Sequence, residues 1–106
     1  MLRVFSLLTF LSVLVFGAVP VAEHTVTQSN KTFSQAELTV KPGDKVVFKN
    51  DDNVTHNVFS VSKGAEFNLK TQAPGTANSV PFNNEGTIEV RCAIHPKMKL
   101  IINVKR

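Results

Sequence analysis

The sequence predicts an all-β sandwich, and two observations carry this prediction. From residue 37 onward, short stretches rich in Val, Ile, Phe and Thr are separated by turn signals of Pro, Gly, Asn and Asp. The same part of the chain has no stretch with the sustained apolar periodicity of a helix. A length of 106 residues also favours a single domain with one hydrophobic core.

The first predicted strands flank a tight turn. Residues 37–40 alternate between polar and apolar side chains, and residues 45–49 resume the pattern. Between them, residues 41–44 read Lys-Pro-Gly-Asp, with Pro and Gly at positions that suit a tight turn. We expect this passage to be the clearest hairpin of the chain.

The next turn leads to a histidine. Residues 50–53 read Asn-Asp-Asp-Asn, and the β-branched and aromatic stretch that follows begins at His56, so we place His56 at a loop-to-strand junction. Residues 87–91 alternate clearly and lead directly to Cys92. The apolar run in the last strand favours a strand covered largely on both faces. Turns at 73–76 and 83–86 separate the other predicted strands, which are 66–69, 78–82 and 99–105.

The N-terminal segment is typical of a secretory signal peptide. Arg3 provides a positive charge, residues 4–19 are almost wholly apolar, and small residues follow. We therefore divide the chain into a signal peptide at 1–22 and one domain at 23–106. Cleavage after Gly17 also fits, and an uncleaved membrane anchor is the alternative, since residues 4–22 carry no charge. A cleaved signal leaves a domain without a membrane span, in a periplasm-like compartment.

Charge argues against a nucleic-acid partner. Without Arg3 the domain has 11 basic and 8 acidic residues, and the basic ones are spread along the chain. The domain is small and has no second cysteine for a disulfide, so a bound metal is one way to stabilise it. The single Cys92 in an exported protein is itself a sign of a buried, cross-linked or functional thiol.

Residues 92–98 carry the chemistry. They read Cys-Ala-Ile-His-Pro-Lys-Met, so a thiol, an imidazole and a thioether recur at every third position between two predicted strands. Antiparallel packing of the strand ends would place His56 beside this loop. Two His, one Cys and one Met are the donors of an electron-transfer copper site, in which the thioether is the weak axial ligand.

These motifs resemble a known family. The passage 38–50, then His56-Asn57-Val58, then the Cys-x2-His-x2-Met loop at 92–98 are similar to the plastocyanin and amicyanin branch of the cupredoxins, and the short loop is most similar to amicyanin. The resemblance covers residues 33–104 and implies a cupredoxin-like Greek-key β-sandwich with a type 1 copper site.

The resemblance implies roles for individual residues. His56, Cys92 and His95 would be the equatorial copper ligands and Met98 the axial ligand. Around them, Asn57 would tie the two ligand loops together, and Pro96 would brace the loop and leave the edge of His95 near the surface. Ala93, Ile94 and Lys97 depart from the usual amicyanin loop, so a methylamine dehydrogenase partner does not follow from the resemblance.

Several of the polar and sulfur-containing residues also have simpler, structural interpretations. Met98 opens an apolar strand, where methionine is usually core packing, and His24 near the domain start is interpreted as a solvated side chain. Asp51 and Asp52 lie in a turn cluster, where Asp commonly caps turns, and we assign them no catalysis. The lysines around the loop fit a solvated face better than a docking patch.

The sequence thus predicts a monomeric, periplasmic one-electron carrier with one copper ion, acting between redox partner proteins. We assign no enzymatic activity, because a catalytic metal site keeps an open position and this set of four protein ligands closes it. Two alternatives remain: a protein that sequesters or delivers copper through the same site, and a metal-free interaction module.

Overall fold

The fold is known from a computed structural model that describes residues 20–106. In this range the chain forms strands, with no helix. The strands are β1 (Glu23–Ser29), β2 (Thr32–Phe33), β3 (Glu37–Val40), β4 (Asp44–Asn50), β5 (His56–Ser60), β6 (Phe67–Gln72), β7 (Ala77–Phe82), β8 (Gly86–Cys92) and β9 (Lys99–Val104). The described range therefore contains no helix that could cross a membrane.

The strands form two mixed sheets. One has the order β2-β1-β4-β7, and the other has the order β3-β9-β8-β5-β6. Each sheet contains one parallel pair, β1 with β4 and β3 with β9, while the remaining neighbours are antiparallel. The all-β sandwich expected from the sequence is confirmed.

The core lies between the sheets and follows the alternation of the strands. Along β4, Val46 and Phe48 are buried while the lysines beside them are exposed. Burial also alternates along β9, whose intervening residues are half-buried, so this strand is covered less completely than its apolar run suggests. Phe67 stacks on Phe48, with ring centroids 5.9 Å apart, and meets Phe82 edge-on at 6.0 Å.

The predicted hairpin at residues 37–49 is wrong. The two strands belong to different sheets, since β3 pairs with β9 whereas β4 pairs with β1 and β7. The turn instead carries the chain across the sandwich, so that Val40 and Val46 enter the core from opposite sides. Gly43 has φ +94°, a left-handed conformation that glycine adopts without strain. Asp44 accepts a hydrogen bond from the Lys41 amide (2.9 Å) and fixes this crossing.

Two strands have no counterpart in the sequence prediction. β1 is mostly polar and pairs in parallel with β4, and β2 is only two residues long. Gln28 of β1 is fully buried, and its side-chain amide donates to Gln72 Oε1 at 2.7 Å, a partner 44 positions away. The predicted signal peptide at 1–22 lies almost entirely outside the described residues.

Candidate metal centre

The sheet register brings two of the predicted ligands together. His56 is the first residue of β5 and Cys92 is the last residue of β8. These strands are antiparallel neighbours with Val58 opposite Cys92, so the start of one and the end of the other lie at the same end of the sandwich. The loop between β8 and β9 then returns His95 over that end.

The donor atoms of these three residues form a compact triangle. Cys92 Sγ lies 3.8 Å from His56 Nδ1 and 3.9 Å from His95 Nδ1, and the two nitrogens are 3.0 Å apart. A point in this plane lies about 2.1 Å from all three atoms, within the roughly 2.0–2.3 Å that nitrogen and sulfur ligands keep from a zinc ion. The side chains therefore fit a single metal ion without rearrangement.

Burial differs among the three residues. His56 is 0% exposed and Cys92 is 1% exposed, whereas His95 is half-buried. The site is thus closed toward the core and reaches solvent at the His95 ring. Its ring centroid lies 4.8 Å from that of His56 in an edge-on arrangement.

The sulfur of Cys92 receives a backbone hydrogen bond. The amide of Asn57 donates to Cys92 Sγ at 3.3 Å. The Asn57 side chain in turn donates to Asn68 Oδ1 and to the carbonyl of Lys70, both at 2.8 Å. Asn57 therefore ties β5 to both of its neighbours and places a donor on the sulfur, which is the outer-shell control expected at a metal site.

Asp52 is a site residue that the sequence analysis missed. Its Oδ2 lies 3.0 Å from His56 Nε2 and accepts a hydrogen bond from the Lys31 amide at 2.8 Å. The Lys31 amide, followed by the His56 ring, lowers the pKa of Asp52 from 3.8 to about 2. An ionised carboxylate only accepts, so His56 donates to it through Nε2, and Nδ1 is the ring nitrogen that faces Cys92. In the sequence, the four-residue spacing from Asp52 to His56 was the one available signal of this contact.

A buried polar network stabilises the loop that carries Asp52. Asn50 donates through Nδ2 to the carbonyls of Val54 and Gln72, both at 2.9 Å, and accepts from the Asp52 amide at 2.9 Å. Gln72 lies opposite His56 in the β5–β6 pair and donates to the Phe48 carbonyl at 2.8 Å. The loop that carries Asp52 is thereby fixed to both sheets.

The other predicted residues occupy distinct places. Met98 is buried at the end of the loop as part of the core, and its amide donates to the His95 carbonyl at 3.0 Å. Pro96 is exposed beside His95. His24 lies away from the cluster and is paired with Asp44 at 3.0 Å.

Comparisons with known proteins agree with this geometry. The family profile described as copper-binding proteins of the plastocyanin/azurin family matches residues 21–105. The methylamine utilization protein MauL of Methylorubrum extorquens is 31% identical over 90 residues, covering 82% of this chain and 79% of that protein. Among solved structures, a reduced Cu(I) form of an amicyanin variant is similar with a TM-score of 0.72 and 27% identity, covering 82% of this chain and 86% of that one. A purple cupredoxin from Nitrosopumilus maritimus shares the fold at 22% identity, with a TM-score of 0.69 and coverage of 77% and 99%.

Proposed function

Because the chain belongs to the plastocyanin/azurin family of copper-binding proteins, we propose that it is a soluble one-electron carrier with a type 1 copper site. The observation that carries the proposal is the triangle of His56 Nδ1, Cys92 Sγ and His95 Nδ1, with sides of 3.0 to 3.9 Å. Two imidazoles and one thiolate are the trigonal donor set of such sites. We assign these three residues as equatorial ligands.

Met98 is the proposed axial ligand. It ends the same loop and is buried, which supports a position on the protein side of the three equatorial donors. Copper in a site of this kind supplies one-electron chemistry between Cu(I) and Cu(II), which a thiolate, a thioether and two imidazoles together accommodate. Four protein donors leave no position for a substrate, so the proposal is a carrier and not an enzyme.

The surrounding residues hold the ligands in place. Asp52 orients the His56 ring, and the Asn57 amide fixes the Cys92 sulfur. Their own partners lie on other strands and loops, so a shift of either ligand would break several hydrogen bonds. A site that resists rearrangement suits electron transfer, because little reorganisation is then needed between oxidation states. The half-exposed His95 is the proposed route for the electron.

The proposal includes the compartment and the state of the protein. Residues 1–22 would be removed as a signal peptide, leaving residues 23–106 as a monomer in the periplasm. The domain would exchange single electrons with donor and acceptor proteins at the His95 end.

A copper-handling role is the second candidate. It is favoured by the exposure of the loop residues around His95, including Ile94 and Pro96, because a partner's ligands could reach this side of the site. Under this alternative the same residues bind copper, but the cargo leaves with the partner.

A copper titration of residues 23–106 tests the site. One equivalent of Cu(II) should produce an intense thiolate-to-copper charge-transfer band and a narrow copper hyperfine splitting in the EPR spectrum. The Cys92→Ser variant should lose both, whereas the control His24→Gln, which alters a histidine outside the cluster, should keep both. A colourless wild-type protein with an ordinary tetragonal Cu(II) signal would refute the assignment.

Kinetics separate the carrier from the copper handler. NMR line broadening in mixtures of reduced and oxidised protein measures electron self-exchange, and a Cu(I) chelator measures release of the metal. A carrier should exchange electrons fast and release copper slowly. Rapid copper transfer with slow self-exchange would favour the handling role instead.

A further inference from the structure

A shallow depression surrounds the exposed edge of His95. Ile94, which is 50% exposed, and Pro96 give it apolar lining, and Lys31 and Lys97 line it as well. Both lysines are exposed, and neither belongs to an ion pair within residues 20–106. The described lining of this depression contains no carboxylate. We refer to these residues as the His95 rim.

Lys31 reaches this rim through a specific contact. It lies in the turn between β1 and β2 with φ +57°, and it is far from the 92–98 loop in sequence. Its backbone amide donates to Asp52 Oδ2, the same oxygen that lies 3.0 Å from His56 Nε2. The carboxylate that orients the buried ligand His56 therefore also fixes the backbone of a lysine that lies beside the exposed ligand His95.

We propose that the His95 rim docks a redox partner protein whose contact surface is acidic around an apolar centre. This inference rests on the proposed electron-carrier function and adds the chemistry of the partner. Ile94 and Pro96 offer apolar area for desolvation, and the two lysines that line the same depression provide charge complementarity beside His95. Complementary charge at the margin of an interface mainly raises the association rate and selects the partner.

The position of the charges favours a protein partner. Two lysines around an apolar centre are too few for a nucleic-acid footprint, which needs a cluster of basic residues along one element. Across the sandwich, Lys63 follows the far end of β5 and Lys105 follows the far end of β9. Both are exposed, so the molecule offers a matched pair of lysines remote from the rim.

The test compares two double variants with the same change in net charge. Lys31→Glu/Lys97→Glu reverses the rim, and Lys63→Glu/Lys105→Glu reverses the remote pair. Copper-loaded proteins are passed over mixed monolayers that expose methyl groups with either carboxylates or ammonium groups. Surface plasmon resonance measures the association rate at about 10 mM and about 500 mM salt. Voltammetry on the same monolayers measures the passage of one electron between protein and electrode.

The wild-type protein should associate faster with the carboxylate monolayer, and high salt should remove the difference. The rim variant should lose about tenfold or more in this rate, whereas the remote variant should change much less. Equal losses in the two variants would overturn the proposal, because the preference would then reflect net charge alone. Rim-dependent adsorption without a voltammetric wave on either monolayer would contradict the carrier function but uphold the acidic partner.

Discussion

Two carboxylate–histidine pairs lie near the opposite ends of β4, and only one of them belongs to the metal centre. Beyond the end of the strand, Asp52 holds His56 at 3.0 Å, and at its start Asp44 holds His24 at the same distance. The ring of His56 is fully buried, whereas that of His24 is 28% exposed. The chemistry of the two pairs is the same, so the difference between them lies in what surrounds each ring.

The two pairs differ in what faces the second ring nitrogen of the histidine. His56 turns Nδ1 toward Cys92 and His95, which supply two further soft or borderline donors. The histidine of the other pair, His24, lies outside this donor cluster. Both carboxylates also accept backbone amides, Asp52 from Lys31 at 2.8 Å and Asp44 from Lys41 at 2.9 Å and Ala22 at 3.2 Å. A carboxylate that orients an imidazole is therefore a general device. It serves a metal site at one end of β4 and fastens the chain crossing and the start of β1 at the other.

The largest expected effect comes from removing the support beneath the metal centre. Asn50→Leu should lower the free energy of unfolding by about 2–4 kcal/mol, because it leaves buried partners of Asn50 without hydrogen bonds. Urea denaturation of the metal-free protein measures this change. Asn84→Leu is the matched control, since this exposed asparagine donates to the Gly64 carbonyl at the far end and should cost less than about 0.5 kcal/mol. Equal losses would mean that the buried network gives no special support to the site.

A smaller effect separates the two carboxylates directly. Asp52→Asn should weaken copper binding by about tenfold, because a neutral amide orients His56 less firmly than a carboxylate does. Asp44→Asn should leave copper affinity unchanged, since its histidine lies outside the donor cluster. Competition with a copper chelator measures both variants. If the two lose affinity equally, the effect is electrostatic and the orienting role of Asp52 is wrong.

The metal centre shows how far the sequence alone predicts the site. The 92–98 loop was readable because its three candidate donors recur within seven consecutive residues, and the alternation of β8 places Cys92 at a strand end. His56 was predicted because it begins a strand directly after a turn, and antiparallel packing of the strand ends places it beside this loop. The role of Asp52 was not found, because a turn rich in Asp and Asn is explained equally well by local capping.

β1 and β2 were missed by the sequence prediction for a related reason. β1 has few apolar residues, so its sequence does not look like a core strand. Its buried Gln28 is accommodated in the core by donating a side-chain hydrogen bond to Gln72, which lies in the other sheet. The predicted hairpin at 37–49 failed because alternation and turn residues specify strands and a reversal, but not which sheet each strand joins. In both cases the structure depends on partners that are distant in sequence, which local patterns do not reveal.

The smallest expected effect is a difference in acid sensitivity at the far end. The hydrogen bond from His24, followed by that from the Lys41 amide, lowers the pKa of Asp44 below 3.8. A carboxyl whose pKa is lower in the folded state stabilises the fold above its ordinary pKa, and this contribution fades as the pH falls toward the folded value. The stability gap between wild type and Asp44→Asn should therefore be constant near neutral pH and narrow below about pH 4.

Urea denaturation of the metal-free proteins, from about pH 7 to about pH 3, measures this gap. His24→Gln removes the largest cause of the lowered pKa, so introducing Asp44→Asn into that background should produce a smaller gap at neutral pH. Thr25→Ser, an exposed change in the same strand, provides the control background and should leave the gap as it is in wild type. A gap that persists undiminished to the lowest pH would show that Asp44 stabilises this end by shape and hydrogen bonding alone. The charge of the carboxylate would then matter only at the metal end of β4.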